Sequence, residues 1–452
     1  MTQQTDARVI TKYLERYAEP EASVGARLTR PTDHILVIPA HNESASMLNG
    51  LQTALKTVHH NDQRALCIVV VNATNQHASA VHTCNDKLIV NLKNVGPSVS
   101  LHTTGQTPCW YIDGATFDLL LIDRNSAGHR LPKREGVGLA RKIGCDVALS
   151  SMQSTTTTAR LIHTSDCDAC LPKTYFSVEY PPSCAAVIYP FRHIPCGSLV
   201  IDEAHAYYEA YLRYYVLGLR YAQSAYDFHS IGSCIAIRPT RYAQVRGVPK
   251  REAGEDFYLL NKLAKVGAIH TAQTEPIRIR SRASARVPFG TGRSTHDIAH
   301  STAVYAIYDP AIFNLLKGWN TSLPALDDVS PSHAYDHVYQ RAVRHLNADT
   351  ADRLHTALRS LDAPTALREA AAQSSTPAVR RKWFHDWFDG FRTLKLVHSL
   401  RDNGLPDIPW ADAIASASFC ELSGETNNTH STRIEEDPFD LCHKLARLEE
   451  RI

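Results

Sequence analysis

"HILVIPAHNES", residues 34–44, starts as an apolar, partly β-branched run and ends in a polar loop. A helix-like segment follows it, and "ALCIVVVNATNQ" (65–76) then repeats the pattern, with an apolar run that stops at Asn72. Apolar runs of this length, bounded by polar loops and separated by amphipathic stretches, indicate strands alternating with helices. That alternation is typical of an α/β domain built on a mostly parallel sheet.

The same alternation continues as far as about residue 193. "FDLLLIDRNS" (117–126), "ARLIHTSDCD" (159–168) and "CAAVIYPFRH" (184–193) are further predicted strands, and "EGVGLARKIGCDVALS" (135–150) is a predicted helix. Ligands of open parallel sheets bind beyond the carboxyl ends of the strands. The polar residues at the predicted strand ends are Asn42, Asn72, Asp123, Asp166, Asp168 and His193.

Composition excludes some classes of partner and predicts a compartment. The 452 residues carry 48 Lys and Arg against 46 Asp and Glu, so bulk charge predicts neither nucleic acid nor an anionic membrane as partner. We find no signal-peptide pattern and no apolar run long enough to span a bilayer. The eleven cysteines are an odd number without framework spacing, which favours reduced thiols and a cytoplasmic protein.

Three regions are predicted from the change of pattern along the chain. Residues 1–32 form an N-terminal helical extension, residues 33–329 form the α/β domain, and residues 330–452 form a helical C-terminal region. The second boundary is placed at "LPALDDVSPSH", where Pro, Asp and Ser interrupt the helical pattern. Composition does not choose among a cover over the acceptor site, a dimer contact and a membrane-surface contact for the last region.

The stretch "HTSDCDACLP" (163–172) carries two overlapping signals. A zinc site needs about four ligands, and no second CxxC accompanies Cys167 and Cys170. A redox CxxC belongs at a helix N-terminus, whereas this one follows a strand; the sequence leaves redox chemistry open but adds no support for it. The carboxylates of Asp166 and Asp168 are ligands that Mg²⁺ or Mn²⁺ prefers.

Three motifs in order resemble those of the GT-A glycosyltransferases, specifically the family-two group that uses nucleotide sugars. "VIPAHNE" (37–43) is similar to the loop that opens the nucleotide pocket, "SDCDA" (165–169) to the DxD motif, and "GEDFYLLNKLAKVG" (254–267) to the acidic motif that begins a helix. The resemblance spans roughly residues 33–290. It implies a GT-A fold: a Rossmann-like, mostly parallel mixed sheet flanked by helices.

The resemblance also implies the roles of individual residues. Asp256, assisted by Glu255, is the expected general base on the acceptor hydroxyl. Asp168, assisted by Asp166, is expected to hold a divalent Mg or Mn ion on the donor diphosphate. The nucleotide-binding candidates are Pro39, Ala40, Asn42, Glu43, Asn72, Lys133, Arg141 and Asp166. The acceptor-side candidates are Gly232, Ser233 and Arg286.

Cationic and glycine-rich segments add two expectations. Lys133 and Arg141 flank a predicted helix start, where positive charge and free backbone N–H groups suit a diphosphate. "SRASARVPFGTGRS" (281–294) combines arginines with hinge glycines and predicts a lid over the diphosphate or an anionic acceptor, so that Arg286→Ala would raise a Michaelis constant.

The predicted function is therefore metal-dependent, inverting and non-processive transfer of a sugar from a nucleoside-diphosphate sugar to a sugar, lipid-linked or small-molecule hydroxyl, as in hexosyltransferases. Two alternatives remain: a nucleotidyltransferase of similar fold, and an inactive relative that binds a nucleotide or glycan. One departure concerns the donor: Asn72 stands where many relatives carry an acidic residue for the nucleotide. Neither nucleic acid nor a transmembrane segment is expected, and a homo-oligomer is left open.

Overall fold

A computed structural model describes residues 2–153, 157–282, 291–301, 303–327, 329–373, 376–421 and 437–451. The chain divides into two compact units. The first contains residues 1–198 and 230–294, and the second contains residues 199–229 and 295–452. By contacts, residues 1–32 thus go with the first unit and residues 295–329 with the second, whereas the sequence boundaries at 33 and 330 stay predictions.

Short β-strands supply three sheets. In chain order they are β1 His34–Ala40, β2 Ala65–Asn72, β3 Ser98–Ser100, β4 Cys109–Ile112, β5 Asp118–Arg124, β6 Ile162–Thr164, β7 Ala169–Cys170, β8 Cys184–Ile188, β9 Phe191–Ile194, β10 Ile235–Ile237, β11 Ala268–Thr271, β12 Ile277–Arg280, β13 Ala306–Ile307 and β14 Ile408–Pro409.

The α-helices are α1 Thr2–Arg16, α2 Ala22–Gly25, α3 Met47–His60, α4 Ser79–Lys93, α5 Gly136–Ser151, α6 Leu199–Tyr221, α7 Pro239–Gln244, α8 Glu255–Leu263, α9 Thr291–Ala299, α10 Pro310–Ser322, α11 Ala334–Val343, α12 Ala348–Ser360, α13 Ala363–Gln373, α14 Pro377–Trp387, α15 Gly390–Asp402, α16 Trp410–Ser416 and α17 Pro438–Arg451.

The main sheet of the first unit has nine strands in the order β11-β8-β10-β6-β1-β2-β5-β4-β3. Its centre, β6-β1-β2-β5, is parallel, and β10 and β4 add antiparallel neighbours on either side. The strands β1, β2 and β5 are buried on both faces, which explains their nearly continuous apolar sequences. The predicted α/β class with a mostly parallel core is confirmed.

Helix α5 packs directly against the centre of this sheet. All of its residues from Gly138 to Ser151 are buried. A Cβ atom on Gly144 would lie 2.3 Å from the Cγ1 atom of Val37 in β1, so only glycine permits this approach of helix to sheet. The close packing fixes α5 relative to the ends of the central strands.

A second, three-stranded sheet has the order β7-β12-β9. Strand β12 runs antiparallel to β7, with Ile279 opposite Ala169, and parallel to β9. Because β7 begins directly after Asp168, this small sheet holds the residues after β12 beside the DxD motif.

Helix α1 is attached to α5 by a buried polar network. The Lys142 ammonium donates to Tyr13 Oη at 2.7 Å and to Asp146 Oδ2 at 2.6 Å. Asp146 Oδ1 accepts from Tyr13 Oη at 2.5 Å and from Tyr242 Oη at 2.6 Å. These groups are almost fully buried and satisfy one another.

Removal of one hydroxyl from this network is expected to weaken the fold measurably. Tyr13→Phe should lower the free energy of unfolding by about 2 kcal/mol, because a buried carboxylate then loses a donor. Urea denaturation measures the change. Tyr17→Phe, directly after the end of the same helix and 37% exposed, is the matched control and should change stability by less than about 0.5 kcal/mol. Equal stability of the two variants would show that the Tyr13 hydroxyl does not stabilise the fold through this network.

The second unit is helical apart from the short pair β13 and β14 among the residues described in it, and its core surrounds Trp319, Phe313 and Phe384. Its last helix, α17, packs on α6, where Glu449 forms an ion pair with Arg213 and a hydrogen bond with His229. The predicted helical C-terminal region is thus confirmed. Within the described ranges, we find no helix with the length and apolar character needed to cross a membrane.

Candidate functional site

The site lies at the carboxyl ends of β1 and β6, which are parallel neighbours. Strand β1 lies between β2 and β6. Strand β2, the next strand in the chain, pairs with one edge of β1, and β6, which comes later in the chain, pairs with the opposite edge. Such a reversal of direction opens a crevice at the carboxyl edge of a sheet. "VIPAHNE" and "SDCDA" therefore meet at one crevice.

The loop after β1 has a constrained backbone. Asn42 has φ = 55°, in the left-handed region that asparagine tolerates better than most residues. Its backbone N–H donates to Asn85 Oδ1 at 2.8 Å, and Asn85 Nδ2 donates to the carbonyl of Asn72 at 3.0 Å. The fully buried Asn85, which sequence analysis did not single out, thus joins the ends of β1 and β2.

Asn72 uses its amide group within the sheet. Nδ2 donates to the carbonyl of Ala40 at 3.0 Å and to that of Val70 at 3.3 Å, and the residue is only 5% exposed. Its donor atoms therefore bind β1 and β2 to each other. Pro39 lies near the end of β1, and its carbonyl accepts from Cys167 Sγ at 3.5 Å.

Arg141 of α5 connects the motifs. Its guanidinium is 2% exposed, donates to Asp166 Oδ1 at 2.8 Å and to Glu255 Oε1 at 3.1 Å, and also reaches the carbonyl of Gly232 at 3.1 Å. Burial opposes its charge, but the carboxylates of Asp166 and Glu255 outweigh burial and raise the pKa of Arg141 above its ordinary value. One buried cation thus contacts the DxD motif, the acidic motif and the turn Gly232–Cys234.

The turn Gly232–Cys234 fits closely around Arg141. A Cβ atom on Gly232 would lie 2.6 Å from an Arg141 guanidinium nitrogen and 3.6 Å from Asp256 Oδ2. The carbonyl of Gly232 also accepts from Thr164 Oγ1 at 2.8 Å. Ser233, the next residue of this short 3₁₀ turn, is buried beside Cys234. Gly232 therefore leaves room for the arginine rather than simply permitting a turn.

The two acids of the acidic motif have different surroundings. Glu255 is 4% exposed and paired with Arg141, whereas Asp256 is only half-buried and accepts the N–H of Phe257 at 2.7 Å. Burial, followed by the charge of Glu255, raises the pKa of Asp256 to about 7. A carboxyl group with that pKa exchanges its proton near neutral pH.

A second cationic centre joins Asp168 to the loop after β1. Arg282 Nη2 lies 2.8 Å from Asp168 Oδ2, and Arg282 Nη1 lies 2.5 Å from Glu43 Oε1. Burial raises the pKa of Asp168, the charge of Arg282 opposes that rise, and the nearby Asp166 and Glu43 add to it. No group of three or more His, Cys, Asp or Glu side chains in the described parts of the chain is arranged to hold a metal ion.

The two cysteines of "SDCDACLP" differ from a reactive pair. Burial, with the charge of Glu43, raises the pKa of Cys167 well above its usual value, which disfavours the thiolate that disulfide exchange requires. Cys170 lies in β7 rather than at a helix N-terminus. All eleven cysteines of the chain are free thiols. Neither cysteine thus has the surroundings of a reactive redox thiol.

The remaining predicted residues lie away from Arg141 and Arg282 or outside the part of the chain that the structure describes. Lys133 is exposed in the loop before α5, as is its neighbour Arg134. Arg286 and most of the predicted lid lie outside the described residues. The sequence analysis did not single out Asn85, or Arg282 as a partner of Asp168, since their partners lie far away in the chain.

A separate cleft of about 590 Å³ lies beside the edge strand β11. It is lined by Thr174, Ser177, Val178, Glu179, Tyr180, Pro181, His270, Gln273, Thr274 and Glu275. The motif acids are not among its walls, and the chemistry proposed below does not use it.

No protein-family model matches this chain, and no curated protein is significantly similar to it. The function is therefore argued from the arrangement of side chains at the crevice.

Proposed function

We propose that this chain is a glycosyltransferase with a GT-A type of fold, which moves a sugar from a nucleoside-diphosphate sugar to an acceptor hydroxyl. The observation that supports this most is the Arg141 centre, where acids of "SDCDA" and "GEDF" bind one guanidinium at the carboxyl edge of the sheet. Two motifs whose spacing suggested the family are thus in contact through one residue. An arrangement of acids around a crevice at a sheet edge suits a nucleotide ligand.

Asp256 is the proposed general base. It is half-buried at the first turn of α8, next to Gly232 of the acceptor-side loop, and its pKa of about 7 suits proton transfer at neutral pH. Glu255 is the proposed positioning residue, because its ion pair with Arg141 holds the start of α8 against α5. In this arrangement Asp256 withdraws the acceptor proton while the hydroxyl attacks the anomeric carbon, which inverts the configuration.

The acids after β1 and β6 fit a divalent cation. Asp168 and Glu43 converge on the guanidinium of Arg282, which shows that this position accepts positive charge, and their oxygens are ligands that Mg²⁺ or Mn²⁺ prefers. Asp168 and Asp166 would hold the ion. When bound, such an ion neutralises the negative charge that develops on a diphosphate leaving group.

The other parts of the proposal follow from the same crevice. The loop at Asn42 and Glu43, with Pro39 and Ala40 behind it, forms the proposed wall for the nucleoside. The proposed reaction is non-processive, and the proposed location is the cytoplasm. The experiment below identifies the sugar and the base of the donor.

A donor screen tests the proposal. Wild-type protein is incubated with a panel of nucleoside diphosphates and nucleotide sugars, with and without Mn²⁺, and its melting temperature is measured. We expect at least one nucleotide sugar to raise the melting temperature in the presence of Mn²⁺ and to be hydrolysed slowly without acceptor. Pyrophosphate release from a nucleoside triphosphate and a sugar phosphate would identify a nucleotidyltransferase instead. Nucleotide-sugar binding without any turnover would identify an inactive relative.

A further inference from the structure

Arg282 is placed at the DxD motif by backbone hydrogen bonds of the small sheet. Strand β12 pairs with β7, and the N–H of Arg280 donates to the carbonyl of Asp168 itself at 3.1 Å. The N–H of Ser281 donates to the carbonyl of Ile194 at the end of β9, at 3.0 Å. The main chain is therefore held on both sides immediately before Arg282, so its side chain starts within reach of Asp168.

The side chain of Arg282 bridges acids from two different motifs. One nitrogen binds Asp168 of "SDCDA" and the other binds Glu43 of "VIPAHNE". The two carboxylate side chains are 15% and 17% exposed, whereas Arg282 is 37% exposed. The acids are thus the more sheltered part of the cluster, and the arginine is the more exposed part.

A divalent cation held by Asp168 and Asp166 would need the Asp168 carboxylate that Arg282 binds. Mg²⁺ and Mn²⁺ bind carboxylate oxygens at about 2.0–2.2 Å, and a guanidinium bound to Asp168 Oδ2 would place two positive charges within a few ångströms of each other. Arg282 and the ion therefore cannot both bind Asp168 at full strength.

We propose that Arg282 is an internal competitor for the divalent cation: it neutralises Asp168 and Glu43 in the free protein and is displaced from Asp168 when the ion binds. This inference rests on the metal site of the proposed function. It adds a coupling between two binding equilibria. A ligand that binds the displaced Arg282 must increase the affinity for the metal ion, and the metal ion must increase the affinity for that ligand by the same factor.

A diphosphate is the ligand class that suits the released side chain. Guanidinium groups bind phosphate oxygens in a bidentate manner, and Arg282 would be freed beside the ion that holds the diphosphate. Donor and metal are therefore expected to bind cooperatively, each tighter in the presence of the other. The free protein, with its acids already neutralised, would bind the ion weakly without donor.

Direct titration of Mn²⁺ in the absence of donor tests the competition. Free Mn²⁺ is followed by electron paramagnetic resonance in wild type, Arg282→Gln, Arg282→Lys and Arg280→Gln. Loss of two partly exposed ion pairs corresponds to about tenfold tighter Mn²⁺ binding in Arg282→Gln. Arg282→Lys keeps the charge without the two-pronged geometry and should lie between Arg282→Gln and wild type. Arg280→Gln removes the same charge from an exposed position two residues away and should bind as wild type does.

Several results would overturn the inference. Unchanged or weaker Mn²⁺ binding in both Arg282 variants contradicts it, and so does equal tightening in Arg280→Gln, which would indicate a general charge effect. If wild type turns over a nucleotide sugar while Arg282→Gln shows unchanged Mn²⁺ affinity, the competition fails and the proposed function stands. If Arg282→Gln tightens Mn²⁺ but no nucleotide sugar is turned over, the competition stands and the proposed function fails.

Discussion

Asp256→Asn is expected to reduce sugar transfer by about a hundredfold to ten-thousandfold, because an amide cannot accept the proton of the acceptor hydroxyl. The substitution keeps the shape of the side chain and the acceptor atom for the Phe257 N–H. The effect should therefore appear in kcat, with donor affinity nearly unchanged. Asp352→Asn, the same chemical change at an exposed position, is the control and should leave transfer unchanged. Full activity of Asp256→Asn would remove Asp256 from the reaction.

The raised pKa of Asp256 also predicts the pH profile. Because burial raises this pKa from 3.8 to about 7, the fraction of the base form falls as the pH drops below 7. Transfer by the wild type should thus fall about tenfold per pH unit below this pKa and level off above it. An acid limb near pH 4 would show that an ordinary carboxyl group governs the rate.

The same shift has a consequence for stability. The unfolded chain ionises Asp256 near pH 3.8 and the folded chain only near 7, so ionisation costs folding stability once the pH exceeds 3.8 and most fully above 7. Asp256→Asn should therefore unfold at higher urea concentration than wild type at pH 8. The advantage should shrink as the pH falls from 7 towards 3.8. Loss of activity together with gain of stability would distinguish a functional residue from a structural one.

Arg141→Met is expected to lower the free energy of unfolding by about 3–5 kcal/mol, which is the range for breaking a buried ion pair by removing one partner. Glu255, which is 4% exposed, would remain buried without a neighbouring cation. Asp166 would also lose its ion pair with Arg141. Urea denaturation measures the change. Arg141→Lys should not restore stability fully, because an ammonium group cannot reproduce the separate donors to Asp166, Glu255 and Gly232.

Two further variants make this prediction specific. Arg134→Met removes an exposed arginine from the loop before α5 and should change the unfolding free energy by less than about 0.5 kcal/mol. Addition of Glu255→Gln to Arg141→Met removes the uncompensated buried charge and should recover part of the loss. Equal stability of Arg141→Met and wild type would mean that the guanidinium does not hold the motifs together.

The pattern of apolar and polar residues along the chain predicted the strands and helices well, because this pattern depends on which residues of an element are buried. The apolar run that stops at Asn72 is strand β2, which ends at that residue, and the acidic pair of "GEDF" lies in the first turn of α8. Strands buried on both faces need continuous apolar residues, and acidic residues favour the start of a helix. Both features therefore depend on residues that are neighbours in the sequence. The predicted nucleotide, metal and acceptor roles stay predictions, because they concern ligands.

Partnerships across the chain could not be predicted in this way. The guanidinium of Arg141 was expected to bind phosphate, and in the fold it is buried against Asp166 and Glu255. The amide of Asn72 was expected to bind a nucleotide, and its nitrogen donates to the carbonyl of Ala40. The type of a residue determines which hydrogen bonds and ion pairs its side chain can form. The packing of distant segments determines which of them it does form.

The sequence by itself thus determined the strand and helix alternation, the parallel core and the positions of the acidic motifs at element ends, since each depends on residues a few positions apart. Only the tertiary structure decided that α5 would deliver a buried arginine to two of those motifs and that β12 would deliver Arg282 to Asp168 and Glu43. Electrostatic attraction acts over a few ångströms in space, irrespective of distance along the chain. The charge balance of the crevice therefore appears only once the sheet has brought its strand ends together.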